Sequence, residues 1–318
     1  MLTIFYTILP VFLLIIVGGY VQRAGWLPKD GAAALNQYVY RIALPALLFG
    51  AIAQASPERL LKGSFIGALL LGLAICYGLS FALFRLFYRA SIPLAGFQAF
   101  TATFANAAFL GLPILMALFP DNPDVVLVMG IYTLFTMPFV LMGIAMLELG
   151  RQQRNGTDTG AIWRTVFRSL ISNPILLATG GGLILSLSGM ALPQWLESVC
   201  NMLGYTASPC ALIAVGMVLA LQAQMTGGPK PDAGYQAVSG CIKLIVHPAL
   251  VWAGMKLFGV EGEWIAMGVL MAAMPMGTLA FVLAETYNTD CANTSASVLL
   301  TTIFSFFTVS AAMALLSG

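Results

Sequence analysis

A side-chain amide and two helix-weakening residues sit inside an apolar run, at Asn106, Gly111 and Pro113 of Phe104-Ala-Asn-Ala-Ala-Phe-Leu-Gly-Leu-Pro113. The run is long enough to cross a bilayer. Proline lacks a backbone donor and clashes with the preceding turn. In hydrocarbon, the carbonyl this frees and a buried amide persist only where protein or a water-filled cavity surrounds them. A second such place is Ala272-Ala-Met-Pro-Met-Gly277. The chemistry available at such breaks is anion binding. Helix N-termini offer unpaired N–H groups and partial positive charge, and the Asn106 amide adds a donor for a carboxylate. Asn106, Ala105, Pro275, Met276 and Gly277 are the candidate substrate-binding residues once the internal duplication and the family resemblance below are added, with Gly111 and Pro113 as candidate hinge residues. The plainer alternatives are an interhelical hydrogen bond for Asn106 and a simple kink at Pro275 and Gly277.

Other polar residues inside apolar runs are fewer. Lys243 either snorkels to an interface or guides an anion. His247, the only histidine, is either a buried neutral ring or a proton-coupling group. Arg41 and Glu285 look like helix-end charges. Tyr132, Thr133, Thr136, Thr301, Thr302 and Ser305 make two other spans polar at their middles, and Ser and Thr often bond back to their own helix. No Ser/His/Asp set, HExxH or phosphate loop occurs, so neither catalysis nor ATP hydrolysis is expected. The five cysteines are widely spaced and form no CxxC, which reads as reduced packing residues rather than a metal site. No cofactor and no metal are expected.

The elements that must hold these residues are membrane helices. Only 8% of the 318 residues are charged and 60% are hydrophobic, against roughly 25% charged in soluble domains, and mean hydropathy is +0.93. At about 20 residues per span the length suits roughly ten helices. Basic residues scattered at helix ends give no nucleic-acid surface. The run 2–21 has no basic region before it, so it should stay as the first span rather than serve as a signal. The predicted spans run about 3–22, 34–54, 62–87, 93–119, 125–149, 171–189, 193–224, 233–259, 263–284 and 294–317.

The two halves of the chain match. Pro10, Pro28 and Pro45 find Pro174, Pro193 and Pro209, and Gly18-Gly19 finds Gly181-Gly182. Thr133-Leu-Phe-Thr136 resembles Thr302-Ile-Phe-Ser305. An odd number of spans per copy inverts the second copy, an architecture common in secondary transporters. The expected fold class is an all-α membrane protein of ten transmembrane helices, built as two inverted five-helix repeats with broken, crossing helices 4 and 9. The expected division is a first repeat 1–149, a cytoplasmic linker 150–168 and a second repeat 169–318. With the N-terminus outside, cytoplasmic loops hold Arg23, Lys29, Arg41, Arg85, Arg89, Arg151, Arg154, Arg164, Arg168 and Lys230, while outer loops hold Arg59, Lys62 and Lys256. The positive-inside rule then puts both termini outside.

These residues carry a family resemblance. Asn106-Ala-Ala-Phe-Leu-Gly-Leu-Pro113 resembles the helix 4 motif of auxin efflux carriers. Ala272-Ala-Met-Pro-Met-Gly277, continuing through Phe281-Val-Leu-Ala and Tyr287-Asn288, is similar to their helix 9. The resemblance spans essentially the whole chain. It implies two inverted five-helix repeats with helices 4 and 9 unwound where they cross. It also implies organic anions as substrates, auxin-like monocarboxylates or malonate- and malate-like dicarboxylates, and alternating access in a bacterial inner membrane. Plant members usually have a proline before the asparagine, where this chain has Ala105, and their large cytoplasmic loop is missing here. A proton is the candidate coupling ion and a homodimer the candidate assembly. Two other classes stay open at this point: a sodium-coupled symporter of a bile-acid-like carboxylate, and a non-transporting membrane receptor. Scarce intramembrane Asp and Glu count against the first, and the lack of a signalling domain against the second.

Overall fold

A computed structural model describes residues 2–28, 30–155, 164–165, 167–168, 171–224 and 230–317. Among them the chain is helical, with one isolated antiparallel bridge between Ala105 and Met276. In order, α1 is Leu2–Ala24, α2 is residues 31–53, α3 is Gly63–Leu86 and α4 is Ile92–Thr103. Next come α5, Ala107–Leu118, and α6, Asp124–Asn155. They are followed by α7, Pro174–Ser188, α8, Gln194–Gln224, and α9, Ala233–Leu257. The last three are α10, Glu263–Ala273, α11, Thr278–Thr286, and α12, Cys291–Ser317. The predicted fourth span thus divides into α4 and α5, and the ninth into α10 and α11. Among the described residues six helices are long and apolar enough to cross a bilayer: α1, α3, α6, α8, α9 and α12. Helix α6 continues to Asn155, and residues 156–163, 166 and 169–170 of the expected linker region lie outside the described residues.

Local chemistry explains where helices start and bend. Asn173 caps α7, its Oδ1 accepting from the N–H groups of Ile175 at 3.0 Å and Leu176 at 3.2 Å, with Pro174 in the first turn where no donor is missed. Gly189, at φ 69°, ends α7 in the left-handed conformation that glycine tolerates. Asp232 caps α9 by accepting from the Tyr235 N–H at 2.7 Å. Three π turns, Val39–Ala43, Ala107–Gly111 and Ile242–Val246, each end two residues before a proline: Pro45, Pro113 and Pro248. A proline deprives the preceding turn of its donor and crowds the carbonyl four residues back. Widening that turn relieves the clash without ending the helix. Gly111 and Pro113 therefore lie in the continuous start of α5, both buried, and the chain leaves helical geometry earlier, at residues 104–106.

Two groups of helices can be told apart by their packing, and they touch each other where α2 meets α6 and where α1 and α8 meet α12. Helix α1 lies along α8, and α2 lies against α7 and α8. The contact between α1 and α8 is close, since a Cβ on Gly18 would meet the Ile213 carbonyl and one on Gly216 the Ile15 carbonyl. Small residues that let backbones approach are a usual device for joining helices in lipid. In the second group α3 packs on α9, α4 on α3 and α6, and α10 on α9 and α12. Helix α5 reaches across to α1 and α8.

Candidate functional site

The two broken spans meet in extended backbone. Just after α4 the backbone turns extended at Phe104 (φ −74°, ψ 115°), and just after α10 at Met274 (φ −59°, ψ 149°). The Asn106 N–H donates to the Pro275 carbonyl at 2.8 Å, and the Gly277 N–H donates to the Phe104 carbonyl at 3.0 Å. The Met276 N–H donates to Thr301 Oγ1 of α12 at 3.1 Å. Backbone at membrane depth needs such internal partners, because lipid supplies none. Ala105 takes its place in the bridge to Met276 without a local proline; the partner link holds it extended.

Helices α5 and α11 restart just beyond the crossing. The first N–H groups of a helix have no carbonyl four residues back. Neither Asn106 nor Gly277 caps its helix with a side chain. Both helix starts border a cavity of about 200 Å³. Phe104 to Phe109 and Gly277 to Leu279 line one side, Thr133, Thr136, Met137 and Val140 of α6 another, and Asn36, Tyr40, Asn173 and Ile175 the side of α2 and α7. The cavity lies between the two helix groups. Its lining combines apolar side chains with amides, hydroxyls and backbone, and among the described residues it has no Lys, Arg, Asp or Glu. Asn106 is 4% exposed, and its Nδ2 has no hydrogen-bond partner. An unpaired amide donor in a buried site is costly unless a ligand or water takes it up.

The whole-chain comparison decides the family. The family model described as "Membrane transport protein" matches residues 3–313. The chain belongs to this family. A Rhizobium meliloti (strain 1021) protein named "Putative malonate transporter" is 28% identical over 306 residues, 95% of this chain and 92% of its own length. The "Uncharacterized transporter YfdV" of Escherichia coli (strain K12) is 25% identical over 310 residues, 94% of this chain and 95% of its own. Rice auxin efflux carrier component 3a (Oryza sativa subsp. japonica) is 28% identical over 138 residues, 42% of this chain and 22% of its own. As a family member the chain is an integral membrane transporter of the auxin efflux carrier-like kind, and not an enzyme. That removes the receptor alternative.

Family membership gives the placement of each sequence candidate a transport context. Asn106, Ala105 and Gly277 line the cavity; Pro275 and Met276 belong to the crossing link behind it; Gly111 and Pro113 sit in α5 away from the lining. Lys243 and His247 also lie away from it. Both are 0% exposed, so Lys243 does not snorkel to an interface. The Lys243 ammonium instead donates to the Ala272 carbonyl. Of the hydroxyls, Thr133 and Thr136 line the cavity, Thr301 holds the Met276 N–H, and Thr302 and Ser305 bond back to their own helix. Asn36, Tyr40, Asn173 and Thr278 were not anticipated. Asn36 and Tyr40 are four residues apart, one face of a helix, which was the available signal for that pair.

Proposed function

We propose that this transporter carries a small organic anion through the bacterial inner membrane by alternating access, with the carboxylate bound at the crossing of α4–α5 with α10–α11. The observation that carries the reading is convergence. Two helix N-termini and the Asn106 Nδ2, unpartnered among the described residues, border one cavity whose described lining has no fixed charge. Each helix start contributes about half an elementary positive charge, so the pair suits a single carboxylate. A carboxylate leaving water needs several replacement donors, and free N–H groups with one amide supply them. A volume of about 200 Å³ falls below the roughly 300–1,000 Å³ of sites for drug-sized ligands, which favours a small cargo. Malonate- or malate-like dicarboxylates and auxin-like monocarboxylates are the substrate classes to test first, malonate because of the name of one relative.

In this reading the chain is two inverted five-helix repeats, 1–149 and 169–318, making ten spans with both termini outside. The proline offsets support it, and so does reciprocal packing of helix ends. The turn after α5 reaches the start of α10 through Asn122 and Glu263. The turn after α11 reaches α4 through Asp290 and the Gln98 amide at 2.9 Å. Alternating access then moves the group carrying α4, α5, α10 and α11 against the panel of α1, α2, α7 and α8, and opens the cavity to each side in turn. The test is uptake of labelled malonate, malate and indole-3-acetate into proteoliposomes holding the purified protein. Saturable uptake of one of them that Asn106→Ala depresses is expected. Uptake no greater than that of empty liposomes for all three would overturn the anion reading.

A further inference from the structure

The Lys243 ammonium lies outside the cavity lining, at the carbonyl ends of the helices that stop at the crossing. It donates to the Ala272 carbonyl at 2.8 Å and to the Thr103 carbonyl at 3.5 Å, and it pairs with His247 Nδ1 at 2.8 Å. Thr103 is the last residue of α4 and Ala272 lies in the last turn of α10. One side chain of α9 therefore bridges the C-terminal ends of both helices that stop at the crossing. An ammonium has three donors; two carbonyls accept from it, and His247 Nδ1 is the third acceptor in the tautomer that leaves that nitrogen unprotonated. Among the described residues no carboxylate lies within ion-pairing distance of it.

The charge balance is set by helix ends. Each helix C-terminus carries about half an elementary negative charge, so α4 and α10 together match one monovalent cation. The N-termini of α5 and α11 present the opposite sign to the cavity. In transporters built on broken helices, unwound carbonyls and half-helix C-termini are where a coupling cation is held. Here a lysine already occupies that place.

We propose that Lys243 is a tethered counter-cation: its ammonium fills the cation place made by the carbonyl ends of α4 and α10, and so supports anion binding at the opposite helix ends without a free alkali metal ion. This rests on the carboxylate binding at the crossing. Lys243 is a positioning residue, since it acts through the four helix ends and does not touch the cargo. The inference bears directly on the sodium-coupled alternative, because a filled cation place leaves none for sodium.

The test is calorimetric titration of purified protein with malonate in choline, sodium and ammonium chloride at one ionic strength. Wild type is expected to bind with the same affinity in all three salts. Lys243→Met keeps the stem and removes the charge, and should weaken binding about tenfold in every salt. Lys243→Ala empties the place: it should bind weakly in choline and tighten at least about fivefold when sodium or ammonium replaces choline. A merely structural lysine would not produce that ion rescue. Sodium-dependent binding by wild type, a Met variant equal to wild type, or an Ala variant that neither ion tightens would each overturn the proposal. If neither neutral variant folds, wild type and Lys243→Arg decide, and both must bind independently of sodium. Loss of binding in Asn106→Ala with unchanged Lys243 variants would overturn this proposal and leave the crossing site standing. Failure of wild type to bind malonate would overturn both the malonate reading and this proposal.

Discussion

Ala105 and Met276 lie opposite each other as an antiparallel bridge, joining two broken helices through main chain alone. The bonds on either side of it, Asn106 to Pro275 and Phe104 to Gly277, use up backbone groups that lipid would leave unpaired. The amides that follow, at the starts of α5 and α11, have no carbonyl four residues back in their own helix and border the cavity. The crossing is therefore both the mechanical joint between the two spans and the source of the site's polarity.

The third partner of this joint is Thr301. Its Oγ1 accepts from the Met276 N–H at 3.1 Å while its hydroxyl donates to the Ser297 carbonyl at 2.6 Å. Thr301→Val keeps the shape and deletes the acceptor, leaving a buried N–H unpaired at a cost of about 1–3 kcal/mol. The variant should unfold at a lower temperature than the parent, and Thr301→Ser should sit near the parent. Matching thermal unfolding curves for Val and wild type would show that the joint does not depend on this bond.

Glycine positions that differ in surroundings should differ in tolerance. A Cβ at Gly216 would strike the Ile15 carbonyl, whereas one at Gly180 meets nothing within 4 Å. Gly216→Ala must push α1 off α8, so a sharp loss of folded, monodisperse protein is expected. Gly180→Ala should fold as the parent does, helped slightly by the better helix propensity of alanine. Equal yields by size-exclusion chromatography would refute the close α1–α8 approach.

Orientation is open to labelling. On a background without the native cysteines, Asp121→Cys should react with a membrane-impermeant maleimide from outside the cell, and Gln153→Cys only after the cytoplasmic side is exposed. The motivation is the excess of Lys and Arg in the loops assigned to the cytoplasm. Reaction of both from the same side would defeat the proposed ten-span topology.

The sequence made the two interruptions legible because Asn106, Pro275 and Gly277 are chemically out of place in apolar spans. Gly111 and Pro113 looked like part of the interruption, but a π turn absorbs Pro113 within α5. The extended residues 104–106 take their shape from pairing with residues 275–277, a contact between distant segments that no local pattern encodes. The same reason hid Asn36, Tyr40 and Asn173, which reach the cavity only because α2 and α7 pack beside it. For Lys243 the sequence leaves interface anchor and anion guide equally open, because position along a helix does not reveal what surrounds it; the carbonyls of Thr103 and Ala272 do.

Asn106 offers the most direct test of the site. Its backbone is committed on both sides: the N–H goes to Pro275, and the carbonyl accepts from Leu110 at 3.2 Å and Gly111 at 3.0 Å. The side chain is thus held in place while its Nδ2 has no partner. If a carboxylate takes up that donor, Asn106→Ala removes a hydrogen bond to a charged group, worth about 1.5–3 kcal/mol. Affinity should then fall roughly tenfold to a hundredfold while the backbone bonds, and hence the fold, persist. Asn106→Asp should bind more weakly still at neutral pH, because a carboxylate in place of the amide repels the cargo. Acidification through the range where that new carboxyl protonates should return part of the lost affinity, since the neutral acid again offers a donor. The measurement is calorimetry on the parent and both variants with malonate, each first checked for an intact thermal transition. An alanine variant that binds as tightly as the parent would make the amide structural and move the site away from the crossing.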